Sequence, residues 1–220
     1  MAYRGLILDV DGTLVDSNDG HARAWVAAFR DEGFGVLFEQ VRPLIGQGGD
    51  QVVPELTSVK VGTPQFDRLV EGWEKHFVAE ELGKVKPQPG AKALVEALLA
   101  RGYQLIVGSS GEDEIVEQLL QLAGVAQLLP NRVHSDEIRA SKPEPDIIQV
   151  ALGKLGLGKE EVLMVGDTPF DIEAARRSGV GTVALRCGGD DRLDGAVAVF
   201  DSPADWSSKL DWPPLGTAKG

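Results

Sequence analysis

The sequence predicts an α/β fold: a Rossmann-like parallel sheet core with helices on both faces and an inserted all-helical cap domain. Three observations point to it. An apolar run, Leu6-Ile7-Leu8, passes directly into Asp9-Val10-Asp11-Gly12-Thr13, the pattern of a strand buried on both faces that feeds a tight turn. From residue 91 onward, short apolar stretches alternate with helical ones, as in βαβ units. Between these two regions, residues 16–83 show helical spacing and no convincing strand. The expected core is therefore discontinuous, residues 1–15 and 84–220, with residues 16–83 as the insert.

In chain order, the first strand is expected over residues 4–10. Ala22, Trp25, Val26 and Phe29 then recur at three- and four-residue spacing, and Gly33 stops that helix. Helical segments follow at 38–45, 50–56 and 64–81, separated by Gly46-Gln47-Gly48-Gly49 and Val61-Gly62-Thr63. Lys86-Pro87-Gln88-Pro89-Gly90 marks the return to the sheet. Helices are expected at 91–101, 112–122, 145–155 and 172–178, and strands at 104–108, near 132–134, at 162–165 and at 182–185. Right-handed crossovers distribute such helices over both faces of a parallel sheet. The tail, with Trp206, Trp212 and Pro213-Pro214, gives no clear pattern. An insert immediately behind the first strand is placed to act as a lid.

Bulk properties narrow the function. The 220 residues suffice for one core and a smaller second domain. Hydrophobic residues make up 43%, and the mean hydropathy is −0.08. No apolar run approaches the roughly 20 residues that span a bilayer, and the N-terminus has no signal-peptide layout, so a cytoplasmic protein without a membrane partner is expected. The formal charge of −12 argues against nucleic-acid binding. It also requires a local cation to draw in any anionic substrate. Cys187 is the single cysteine and cannot form an internal disulfide, which fits a reducing compartment; a structural role is expected for it.

Ligands of open α/β sheets bind at the carboxyl ends of the strands. Polar clusters follow four of the expected strands. Asp9 and Asp11, two residues apart, leave the first strand on the same side and repel unless a cation or a proton lies between them. Ser109 and Ser110 follow the 104–108 strand, Lys142 precedes a helix, and Asp167 and Asp171 follow the 162–165 strand. Singly, each has an ordinary explanation: Ser109 as a helix N-cap, Lys142 as a solvated surface lysine, Asp167 as a turn former, Asp171 as a helix cap. Together they compose a phosphate site. Asp9 and Asp167 offer the hard oxygens that suit Mg²⁺. A carboxylate such as Asp9 can serve as nucleophile, provided cations offset the charge of the phosphate. Ser109 and the backbone N–H groups of the turn after Asp11, Gly12-Thr13, would hold phosphoryl oxygens. Asp11, crowded by carboxylates, is expected to have a raised pKa and to act as general acid and base.

These motifs, in the order Asp9-Val10-Asp11-Gly12-Thr13, Ser109, Lys142-Pro143 and Gly166-Asp167-Thr168-Pro169-Phe170-Asp171, resemble those of the haloacid dehalogenase superfamily of phosphohydrolases. The resemblance covers nearly the whole chain. It implies a Rossmann-like core with a helical cap, Asp9 as nucleophile and Asp11 as acid/base. It further implies Ser109, with Ser110 beside it, and Lys142 as phosphate binders. Mg²⁺ would be held by Asp9, Asp11 through its carbonyl, and Asp167, with Asp171 in support. Within the superfamily the chain is similar to the group of phosphoglycolate phosphatase and β-phosphoglucomutase. His21 stands where the mutase has a substrate-gating residue. Where the mutase has Ser-Arg-Glu, this chain has Gly46-Gln47-Gly48-Gly49-Asp50, whose Gly48 could bring a backbone N–H close to substrate. Lacking that arginine, the chain is expected to be a phosphatase of a small phosphorylated metabolite, with a phosphosugar mutase as the alternative. A catalytically idle binding module is a third possibility, which the completeness of the motifs disfavours. Oligomeric state is not readable from the sequence.

Overall fold

The computed structural model describes residues 3–211, 214 and 215; Trp212 and Pro213 of the tail lie outside them. The chain forms two compact units, residues 1–16 with 86–220, and residues 17–85. It opens with β1 (Gly5–Leu8), all four residues buried, as an unbroken apolar run requires. The strand is shorter than expected, but its ladder extends one residue further, because the Asp9 N–H donates to the Val165 carbonyl at 2.9 Å. The Val10 carbonyl then accepts from Leu14 and Val15, curling the chain into a turn in which Gly12 takes φ 71°. That left-handed conformation favours glycine.

After β2 (Val15–Asp16) comes the second unit, built from helices: α1 (Asn18–Asp31), α2 (Phe38–Val41), α3 (Gly49–Leu56) and α4 (Pro64–His76). The Thr63 hydroxyl caps α4 by accepting from Phe66 N–H, with Pro64 at the first helical position. A π-helical turn, Phe77–Glu81, continues α4, which is why one periodicity ran from 64 to 81 in the sequence. α1 and α4 pack together through aromatic rings, Trp25 of α1 against Trp73 of α4 at 5.3 Å between centroids, with Trp25 also against Phe29 of its own helix at 5.6 Å.

His76 fastens the same two helices. Its ring nitrogens lie 2.8 Å from Asp31 Oδ2 and 2.9 Å from Glu80 Oε1, and those hydrogen bonds, Asp31's first, hold its pKa above the ordinary value. A raised folded-state pKa contributes stability in full below about 6.5, and that contribution is lost as pH rises through the folded value. Urea unfolding of the wild type is therefore expected to show stability falling from pH 6 to pH 8 more steeply than in His76→Gln. Parallel profiles would remove His76 as the cause.

The chain returns through β3 (Lys86–Pro87), which pairs antiparallel with β2. This ribbon keeps both crossing segments with the sheet and sets the joints at 16/17 and 85/86, where the sequence suggested 15/16 and 83/84. Next come α5 (Ala91–Ala100), β4 (Gln104–Val107), α6 (Asp113–Leu122), α7 (Asp146–Leu155), β5 (Val162–Gly166), α8 (Pro169–Arg177), β6 (Gly181–Leu185), β7 (Ala198–Phe200) and α9 (Pro203–Ser207). The sheet is parallel throughout in the order β4-β1-β5-β6-β7, with Leu8 beside both Val107 and Val165. Ile7, Ile106 and Met164 form one core with Ile147, Ile148 and Ala151 of α7 and Ala174 and Ala175 of α8. No helix among the described residues is long and apolar enough to cross a membrane.

Three expectations need correction. The strand near 132–134 is only a bridge between Val107 and Arg132, because the chain turns away where Asp113 accepts from Ser135 N–H and contacts the His134 ring. α8 begins at Pro169, not at residue 172. Thr168 is its N-cap and Asp171 its third residue, each hydrogen-bonding the other's backbone N–H. β7 and α9 had no counterpart in the sequence expectation: a three-residue strand is too short to show a period.

Candidate active site

Parallel register brings the ends of β1, β4, β5 and β6 to one edge of the sheet. There the side chains of Asp9, Lys142, Asp167 and Asp171 meet, all buried. Lys142 Nζ donates to Asp9 Oδ1 at 2.5 Å, to Asp171 Oδ1 at 2.7 Å and to the Gly108 carbonyl at 3.3 Å. These three bonds use the three hydrogens of an ammonium. Where the sequence suggested a lysine directed at phosphate, the structure gives Lys142 two carboxylate partners, and it is the shared counter-charge of this buried group.

Burial pushes the Asp9 carboxyl up, to about 7, and the charges of Asp171 and Asp11 add to the rise, while Lys142 pulls the other way. For Lys142, burial alone disfavours the ammonium, but Asp171 and Asp9 more than offset it and hold the pKa above its ordinary value. Asp171 also belongs to its helix. Its Oδ2 accepts from Thr168 N–H at 3.1 Å and from the Thr168 hydroxyl at 2.7 Å. Both of its oxygens therefore accept hydrogen bonds.

Asp9, Asp167 and Asp171 each offer a carboxylate oxygen, and these atoms lie within 4.8 Å of one another. A buried, all-oxygen acidic set is the donor chemistry of a hard divalent cation such as Mg²⁺, so the residues present fit one. Asp11 is half-buried beside them. A Cβ placed on Gly111 would lie 3.4 Å from Ser109 Oγ and 3.8 Å from Asp11 Oδ2, so that hydroxyl and that carboxylate face the same small space.

The other candidates have more varied positions. Ser109 is buried, its Oγ accepting from Gly111 N–H at 3.1 Å, and Ser110 Oγ accepts from Lys142 N–H at 3.4 Å. Gly12 lies in the turn with its carbonyl accepting from Gln88 and Cys187. Thr13 departs from the expected phosphate role. Its N–H donates to the Val10 carbonyl and its hydroxyl to Asp167 Oδ1 at 2.9 Å. His21 and Gly48 belong to the second unit. The His21 ring stacks on Phe77, with centroids 3.9 Å apart, and Gly48 is the N-cap of α3. Of the cationic residues there, Arg23 pairs with Glu81, Arg42 with Asp19 and His76 with Asp31 and Glu80. Cys187 lies against the turn after β1, its Sγ 3.3 Å from the Gly12 carbonyl. Burial, with Asp167's charge, pushes its thiol up to about 12, so it is no nucleophile at neutral pH.

Residues 6–185 match the family model described as haloacid dehalogenase-like hydrolase. The chain is similar to the phosphoglycolate phosphatase of Rhodospirillum rubrum, 31% identical over 95% of this chain and 90% of that protein. It is likewise 31% identical to the phosphoglycolate phosphatase of Aquifex aeolicus, over 94% of this chain and 97% of that one. Among solved structures, a hydrolase from Pseudomonas syringae superposes with a TM-score of 0.87 at 28% identity, over 94% of this chain and 98% of that one. The ordered strand-end motifs, the parallel sheet and these likenesses agree, and the chain belongs to the haloacid dehalogenase-like hydrolase family.

Proposed function

We propose that this phosphoric monoester hydrolase works by attack of Asp9 on the phosphorus of a small phosphomonoester, with Mg²⁺ as cofactor. The observation that carries the reading is the buried group of Asp9, Lys142, Asp171 and Asp167 at the carboxyl edge of the sheet. As an Asp9 oxygen bonds to phosphorus, the ester P–O bond breaks, and the departing alkoxide takes a proton from Asp11. A water then attacks the phosphorus of the aspartyl-phosphate, giving its proton to Asp11. The bond to Asp9 breaks, inorganic phosphate leaves, and both carboxyls return to their starting states. Lys142 keeps Asp9 oriented and offsets its charge. The Ser109 oxygen, accepting from Gly111, still has a hydrogen to give a phosphoryl oxygen. Asp9 and Asp167, with the Asp11 carbonyl, would hold the metal, whose positive charge offsets that of the phosphate dianion. Asp171 supports this set through Lys142. In the same reading the inserted unit, residues 17–85, is a cap, and its Gly46–Gly49 segment has no arginine to hold a second phosphate.

The names of the relatives make phosphoglycolate the first ester to assay, followed by sugar phosphates and p-nitrophenyl phosphate. Phosphate release is expected to need Mg²⁺, to fall to background with excess chelator and to return when Mg²⁺ is restored. Turnover that persists in chelator would overturn the metal's role. Incubation with a sugar 1-phosphate is expected to yield inorganic phosphate; accumulation of the 6-phosphate would establish a mutase instead.

A further inference from the structure

Asp167 is fully buried, and parts of the chain far apart in sequence lie against each of its oxygens. Oδ1 accepts from the Thr13 hydroxyl at 2.9 Å. At Oδ2 stands the backbone of Gly188, so close that a Cβ there would lie 1.7 Å from this oxygen and 2.4 Å from Cγ. Thr13 and Gly188 are each preceded by a peptide carbonyl, of Gly12 and of Cys187. One side chain binds both: Gln88 Nε2 donates to the Gly12 carbonyl at 3.0 Å and to the Cys187 carbonyl at 3.2 Å.

A peptide group is planar, so fixing the Gly12 carbonyl fixes the Thr13 nitrogen, and fixing the Cys187 carbonyl fixes the Gly188 nitrogen. Gln88 is itself firmly rooted. It is buried, its N–H donates to the Leu14 carbonyl at 2.9 Å, and its carbonyl accepts from Ala91 N–H at 3.0 Å. A neutral amide carries two hydrogens on one nitrogen and no charge, which matches two buried carbonyls converging from different segments. A lysine or arginine here would add a charge beside the acidic group, and a hydroxyl has only one hydrogen to give.

We propose that Gln88 is a positioning residue for Asp167, clamping the Gly12-Thr13 turn and the Cys187-Gly188 turn that bracket its carboxylate. The proposal rests on the reading of Asp167 as a metal ligand. Residues acting behind a metal ligand commonly change metal affinity about 10–100-fold when removed.

The test is calorimetric titration of Mg²⁺ into wild-type protein and Gln88→Met, without substrate, alongside urea unfolding of both in chelator. Methionine keeps the length of the side chain and removes both donors. The Mg²⁺ Kd is expected to rise about tenfold or more in Gln88→Met, while KM for p-nitrophenyl phosphate at saturating Mg²⁺ stays within twofold. A merely structural glutamine would lower the urea midpoint and leave the Mg²⁺ Kd within twofold of wild type; that result overturns the proposal while sparing the metal reading. Failure of the wild type to bind Mg²⁺ overturns both. Should Gln88→Met not fold, Gln88→Asn, which keeps the amide but is one methylene short, is judged by the same criteria.

Discussion

Asp9→Asn is expected to lower turnover of p-nitrophenyl phosphate by at least about 10³-fold while the protein stays folded, as for loss of a covalent nucleophile. The two side chains share a shape, so the substitution creates no cavity. It takes a charge out of a buried group where burial, Asp171 and Asp11 already disfavour it, which limits the cost in stability. Lys142 keeps its bonds to Asp171 and to the Gly108 carbonyl. The check is p-nitrophenolate release at saturating Mg²⁺ beside the thermal midpoint. More than a tenth of wild-type turnover in Asp9→Asn protein free of deamidation would exclude Asp9 as nucleophile.

Lys142→Met should act on folding as well as on chemistry. The ammonium is 1% exposed, and its removal strands the Asp9 and Asp171 carboxylates without a cation between them. Breaking a buried pair by deleting one partner costs about 3–5 kcal/mol. The deficit should also depend on pH. Asp9, already pushed up to about 7 by burial, loses the attraction that holds it down, so its folded pKa rises further above the unfolded value of about 3.9. Stability tied to such a group is lost as pH rises through the folded pKa. Urea unfolding in chelator should therefore show a larger difference between wild type and Lys142→Met at pH 8 than at pH 5. A difference under about 1 kcal/mol at pH 8 would mean that Lys142 is not the counter-charge its distances indicate.

The parts of this site legible in the sequence were those set by local pattern. An apolar run ending in two carboxylates at a period of two places Asp9 and Asp11 at a strand end before any tertiary contact is known. The alternation of strands and helices brings Ser109, Lys142 and Asp167 to the same edge. What sequence could not supply was the choice of partner. The sequence directs Lys142 at phosphate, with a solvated surface lysine as its ordinary alternative, and only the folded chain encloses it between Asp9 and Asp171, 133 and 29 residues away. Thr13 reads with Gly12 as part of a turn expected to hold phosphate; its hydroxyl donates to a carboxylate 154 residues on. Gln88 stands in a proline-rich joint, and its bonds to Gly12 and Cys187 leave no periodic trace in the sequence. The start of α8 is legible in the sequence: Thr168-Pro169 with Asp171 three residues after the threonine is an N-terminal capping signature. Taking Asp171 as the cap, when Thr168 is the N-cap, places the helix start at residue 172.

The central claim is a covalent bond between Asp9 and phosphorus. An acyl phosphate is reduced by borohydride to an alcohol, so trapping during turnover converts the attacking aspartate to homoserine. Enzyme quenched with borohydride while hydrolysing p-nitrophenyl phosphate with Mg²⁺ should contain homoserine at position 9 in the peptide that spans residues 5–23. Enzyme quenched in chelator should retain aspartate there. Homoserine at another position, or intact Asp9 in enzyme that is turning over, would contradict the account.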